Sequence, residues 1–114
     1  MAAFRVAKPQ ALRLFQYVRH LRFRFDPFRP DSRAVRETWR QLASPSMVAS
    51  NPKCTVEVAP ARGTSPAIDV TFVDGSKRAL ERPGRPAAAL VAEIYRAAHD
   101  LSLEYAIEGK PPPG

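Results

Sequence analysis

Hydrophobic and polar positions alternate through residues 17–25. Leu21, Phe23 and Phe25 fall on one side, His20, Arg22 and Arg24 on the other. A period of two predicts a half-buried strand. Asp26-Pro27 ends it, and residues 27–31 read as a proline-bounded loop. The period then changes. Val35, Trp39 and Leu42 stand at i, i+4 and i+7, the buried stripe of a helix reaching about Ala43 and capped by Asp31 or Ser32. Arg33, Arg36 and Arg40 lie on its other side. Ser44-Pro45 closes that helix, and Pro45 opens a short turn through Met47 and Val48. Alternation returns over 53–59, with Cys54, Val56 and Val58 against Thr55 and Glu57. It returns again at Ile68, Val70 and Phe72 against Asp69 and Thr71. A turn with Pro60, Gly63 and Pro66 separates these two strands. Asp74-Gly75 predicts a hairpin into a short fourth strand over about 76–80. Beyond Pro86, the residues Leu90, Val91, Ile94, Ala98 and Leu101 define an amphipathic helix to about Leu103, and a proline-rich tail follows.

The predicted order is β-α-β-β-β-α. It implies an α+β (α/β-like) domain with a mixed four-stranded sheet and both main helices on one face. A sheet covered on both sides would read continuously apolar, so this one leaves a side open. Residues 1–16 show weak helical texture around Leu12 and Phe15, broken by Pro9. The expected organisation is a basic N-terminal extension (1–16), one domain (17–103) and a proline-rich tail (104–114).

Charge changes this picture from a generic fold to a candidate binder. Ten basic residues (Arg5, Lys8, Arg13, Arg19, Arg22, Arg24, Arg29, Arg33, Arg36 and Arg40) face only three acidic ones within residues 1–40. That segment carries the whole net charge of +7. Arginine outnumbers lysine fourteen to four. A planar, weakly hydrated guanidinium suits phosphate better than an ammonium does. These ten residues are therefore the candidate contacts to RNA or DNA phosphates. If six or so of them reach phosphate, the log–log salt slope of binding should be about −4 to −5. A structural reading competes at some positions. Arg22 and Arg24 could neutralise Glu57 and Asp69 across neighbouring strands, and Glu37 lies within one turn of Arg33 and Arg40. Residues 1–25 lack acids and interleave arginines with apolar residues. That is the composition of a mitochondrial targeting segment, although serine is absent. A basic nucleic-acid-binding arm fits the same residues.

No constellation for catalysis or metal binding stands out. His20 and His99 are far apart and read as surface residues. The single cysteine, Cys54, reads as a small buried hydrophobe. Walker-type, GxGxxG and GxSxG loops are absent, as is any apolar run near the ~20 residues of a membrane span. Trp39 could stack on a base, but its spacing with Val35 and Leu42 makes it core. No cofactor, metal, membrane or small-molecule substrate is expected.

Three ordered pieces carry a resemblance. They are Arg19-His20-Leu21-Arg22-Phe23-Arg24-Phe25-Asp26-Pro27-Phe28, then Asn51-Pro52-Lys53-Cys54 entering a strand, then Ile68-Asp69-Val70-Thr71-Phe72-Val73-Asp74-Gly75. Over residues 17–101 the chain resembles the mitochondrial large-subunit ribosomal protein fifty-three family. The resemblance implies a reduced thioredoxin-like fold and a non-catalytic structural role in the ribosome of the mitochondrial matrix. It also implies contacts to large-subunit rRNA and to other large-subunit proteins near the stalk base. A thioredoxin-type enzyme needs a thiolate just after the first strand. Here that position reads Asp26-Pro27-Phe28-Arg29, where some members of the family carry a cysteine at the first position, so redox chemistry is not expected. A related fold occurs in an accessory subunit of respiratory complex I, and a place in such an assembly is the alternative reading.

Overall fold

The computed structural model describes residues 8–81 and 86–113, with Lys8 through its backbone only. Its elements are α1 (Lys8–Phe15), β1 (Val18–Phe25), a 3-10 turn (Pro30–Ser32), α2 (Arg33–Leu42), α3 (Pro45–Ser50), β2 (Thr55–Pro60), β3 (Ala67–Phe72), β4 (Lys77–Leu80) and α4 (Ala87–Glu108). The strands form one sheet in the order β2-β1-β3-β4. β1 runs parallel to β2 and antiparallel to β3, and β3 and β4 form the hairpin. This is the mixed α+β sheet that the alternation predicts.

The register explains why one face is apolar. Phe23 pairs with Ile68, which pairs with Leu80, and Leu21 pairs with Val70. All five side chains are buried. Offset by one residue, Arg22 lies between Glu57 of β2 and Asp69 of β3, on the face the helices leave open. α2 and α4 pack together over the apolar face, and Val35, Leu42, Leu90, Ile94, Ala98 and Leu101 are buried there. Trp39 is partly buried against this core.

Four local readings are corrected. First, α1 packs against α3 and α4 and buries Leu14 and Phe15 in the main core. Pro9 does not break it. It sits in the first turn, where its missing N–H would have no intrahelical partner anyway. Second, neither Asp31 nor Ser32 caps α2. Ser32 is itself helical; its hydroxyl donates to the Arg29 carbonyl at 2.8 Å, and the 3-10 turn feeds straight into the helix. Third, Trp39 of the expected stripe is only partly buried, and α2 instead buries Thr38 completely beside Val35 and Leu42. The hydroxyl is satisfied by donating to the Ala34 carbonyl at 2.8 Å. Fourth, α4 continues to Glu108. Gly109, at φ +71°, ends it, with the Lys110 N–H donating back to the Tyr105 carbonyl at 2.9 Å.

Two polar side chains fix the loops at opposite ends of β1. At its start, the buried Asn51 amide donates to the carbonyls of Phe15 (3.0 Å) and Val18 (2.6 Å), tying the end of α3 to the α1–β1 corner. At its end, the Asp26 carboxylate, 7% exposed, accepts from the N–H groups of Gly63 (2.9 Å) and Phe28 (3.0 Å). Those N–H groups hold the carboxyl below the usual carboxylate range. A carboxyl with a depressed folded pKa stabilises the fold fully above its unfolded pKa. That contribution is lost as pH falls through the lower folded value. We expect urea midpoints of the wild type to drop as pH falls below about 4, and those of Asp26→Asn to drop less over the same window. Parallel curves for the two proteins would remove Asp26 as the cause.

Candidate nucleic-acid interface

The fold sorts the ten basic candidates into groups. Arg5 and the side chain of Lys8 lie outside the described residues. Four of the others are held by the protein's own carboxylates. Arg22 Nε stands 3.1 Å from Glu57 Oε2. Arg24 donates two hydrogen bonds to Asp69, at 2.9 and 3.1 Å, and a longer one to Glu81 at 3.5 Å. The hydrogen bond to Asp69 raises its pKa further above the usual value. Arg29 grips Asp31 at 3.1 and 2.6 Å. Arg33 meets Glu37 at 3.0 Å, one turn along α2. The cross-strand neutralisation that the alternation allowed is thus present for Arg22 and Arg24. All four pairs are partly exposed, so each contributes little stability, about 0–1 kcal/mol. Their effect on an incoming phosphate is larger, because the carboxylate already in place repels it.

Arg13, Arg19, Arg36 and Arg40 have no carboxylate within ion-pair distance among the described residues. Arg36 Nε is buried without a hydrogen-bond partner. The topology gathers most of this group at one end of the molecule. Arg19 sits at a register irregularity opening β1. Arg13 is in the last turn of α1 just before it. α2 returns the chain from the end of β1 toward the start of β2, which brings Arg40, in its last turn, to the same end. Arg19 and Lys53 line one cleft of about 310 Å³ there, together with Gln16, Asn51 and Tyr105.

Lys53 was missed by counting charge along the chain. Its place follows from the parallel pairing of β1 with β2, which sets the residues preceding the two strands side by side. Arg62 was missed for a similar reason. The Asp26 bridge to Gly63 brings its loop against the loop after β1, and its guanidinium lies 5.6 Å from the Phe28 ring centroid.

Little in the rest of the surface suggests reaction chemistry. Cys54 is half-buried, and burial pushes its thiol pKa up to about 11, which leaves it mostly protonated at neutral pH. His20 Nε2 stands 3.9 Å from Glu57 Oε2 on the open sheet face. Among the described residues, no group of three His, Cys, Asp or Glu side chains is arranged to hold a metal ion. No described helix is long and apolar enough to cross a membrane.

No curated protein matches the chain. Residues 25–75, a little under half of it, match the family model described as 39S ribosomal protein L53/MRP-L53. The matched segment runs from the last residue of β1, through the Asp26 bridge, α2 and Asn51, to the β3–β4 turn. That span holds the crossover from β1 through α2 and α3 into β2 and on through β3, and over it the chain is similar to the mitochondrial large-subunit ribosomal protein L53 family.

Proposed function

We propose that the chain is a non-catalytic structural protein of the mitochondrial ribosome's large subunit that docks on rRNA phosphates. The similarity of residues 25–75 to the L53 family supports the mitochondrial location and the association with the large subunit. The observation supporting phosphate contact is the unpaired set Arg13, Arg19, Arg36 and Arg40. These guanidinia come from three elements, and three of them share one end of the fold with Lys53. Such contacts fix position without reading sequence, and each releases counterions. The strand order β2-β1-β3-β4 supports the thioredoxin-like reading of the domain. The exposed apolar residues of α4, Leu103 and Ile107, lie outside the core and are available to neighbouring proteins near the stalk base.

Reserving phosphate contact for the unpaired set lowers the expected salt dependence. Four contacts give a log–log slope of about −3. The test is co-sedimentation of tagged protein with mitochondrial large subunits across a salt series, combined with ultraviolet crosslinking. Retention that weakens with that slope, with rRNA adducts on the α1–β1 peptide, supports the proposal. A protein found only in free or respiratory-complex fractions would overturn it in favour of another mitochondrial assembly.

A further inference from the structure

Phe28 is 79% exposed, an aromatic ring held in water at the tip of the loop after β1. A loose loop would let such a ring fold back, and this loop is not loose. The Asp26 carboxylate accepts the Phe28 N–H itself, and its other oxygen accepts the N–H of Gly63 from the facing loop. The Arg29 N–H donates to the Asp26 carbonyl at 3.0 Å, and the Ala61 N–H to the Phe25 carbonyl at 2.9 Å. Pro27 and Pro30 restrict the backbone on both sides. The ring therefore stands out from a braced base.

One neighbour of the ring is cationic: the Arg62 guanidinium, 5.6 Å from its centroid. Arg62 forms no ion pair within 4.0 Å among the described residues, and the nearby Asp26 carboxylate, which feels its charge, is already taken up by the N–H groups of Phe28 and Gly63. An exposed, pre-positioned aromatic ring beside an arginine that forms no ion pair is the chemistry that receives an unpaired nucleobase and its phosphate. An apolar protein pocket would also accept the ring, but it would gain nothing from the arginine beside it. We infer that Phe28 is a stacking platform for one unpaired rRNA base, with Arg62 meeting the adjoining phosphate. The inference rests on the rRNA-binding reading above and adds a second point of contact. Phe28 follows the far end of β1, whose stretch from Arg19 to Phe25 spans roughly 20 Å. The two contacts therefore engage different stretches of RNA.

The test uses the full chain and two probes: an unstructured 12-nucleotide RNA, and an abasic oligomer of the same length that keeps the phosphates and lacks the bases. The wild type should bind the RNA roughly 5- to 150-fold more tightly than the abasic chain. Phe28→Ala should abolish that preference without changing the salt slope, and Phe28→Trp should keep it. Arg62→Gln should make the slope shallower by about one. Because the ring is exposed, none of these substitutions should unfold the protein. Equal, salt-sensitive binding of both probes by the wild type would overturn the stacking platform and leave the phosphate reading intact. Binding of neither would overturn both. A Phe28→Ala variant that keeps the base preference but washes off large subunits more easily would make the ring a protein anchor instead, and the inference would fall.

Discussion

Replacing Arg13, Arg19, Arg36 and Arg40 together by glutamine should weaken RNA binding by roughly 10²–10³-fold at 0.15 M salt and flatten the salt slope by about 3. The estimate follows from counterion release, in which each lost phosphate contact lowers affinity about four- to fivefold at that ionic strength. The informative comparison removes as many arginines from the other set along with the carboxylates they hold. Arg22 with Glu57, Arg24 with Asp69, Arg29 with Asp31 and Arg33 with Glu37 are converted to their neutral amides, which leaves the net charge unchanged. That variant should lose no more than a modest amount of stability and keep the slope of the wild type. If the second variant loses affinity as strongly as the first, the division of the arginines by their carboxylate partners is wrong. Filter binding across a salt series, with thermal melts to confirm folding, reads both outcomes.

Phe15→Ala should destabilise the fold by about 3–5 kcal/mol, the usual cost of emptying a fully buried aromatic site. The ring is 1% exposed and belongs to the main core. For a domain of this size the melting temperature should drop by roughly 12–20 °C. The substitution tests more than one side chain. If α1 were an appendage, truncating any of its residues would cost less than about 0.5 kcal/mol. The Asn51 amide, bonded to the Phe15 and Val18 carbonyls, couples α1 to the start of β1, so loss of the ring should be felt there as well. Urea midpoints with an unchanged m-value would show a stability effect and not a change of compactness.

The strands were legible because burial on one face leaves a period-two trace that nothing else in the chain imitates. Leu21, Phe23, Phe25, Ile68, Val70 and Phe72 all point where the alternation places them. The hairpin was legible because Gly75 adopts φ +89°, where an L side chain is strained, and the Asp74 carboxylate accepts from the Ser76 N–H at 2.9 Å. The helix ends were harder. Pro9 reads as a breaker until its position in the first turn is known. Gly109 followed by Pro111 is a stop signal in plain view, but the apolar stripe weakens past Leu101 and drew the expected end inward. Tyr105 explains the extension, since its ring packs edge-to-face on Tyr17 at 5.3 Å.

The site was less legible than the fold. Counting charge by segment located the arginines, and only strand register could tell which of them face a carboxylate. Arg22 and Arg13 look alike in a composition count. One stands beside Glu57, and the other meets no acid among the described residues. Phe28 left no periodic trace, because it lies in the loop between one pattern and the next.

The position of β1 in the middle of the sheet has a kinetic consequence. Its two neighbours lie more than thirty residues downstream, at Thr55–Pro60 and Ala67–Phe72. A chain emerging N-terminus first from any narrow channel would therefore present Leu21, Phe23 and Phe25 to water with nothing to pair against until about half of the chain had emerged. During that interval the nascent segment is sticky, and a holding factor would be expected to cover it until its partner strands arrive.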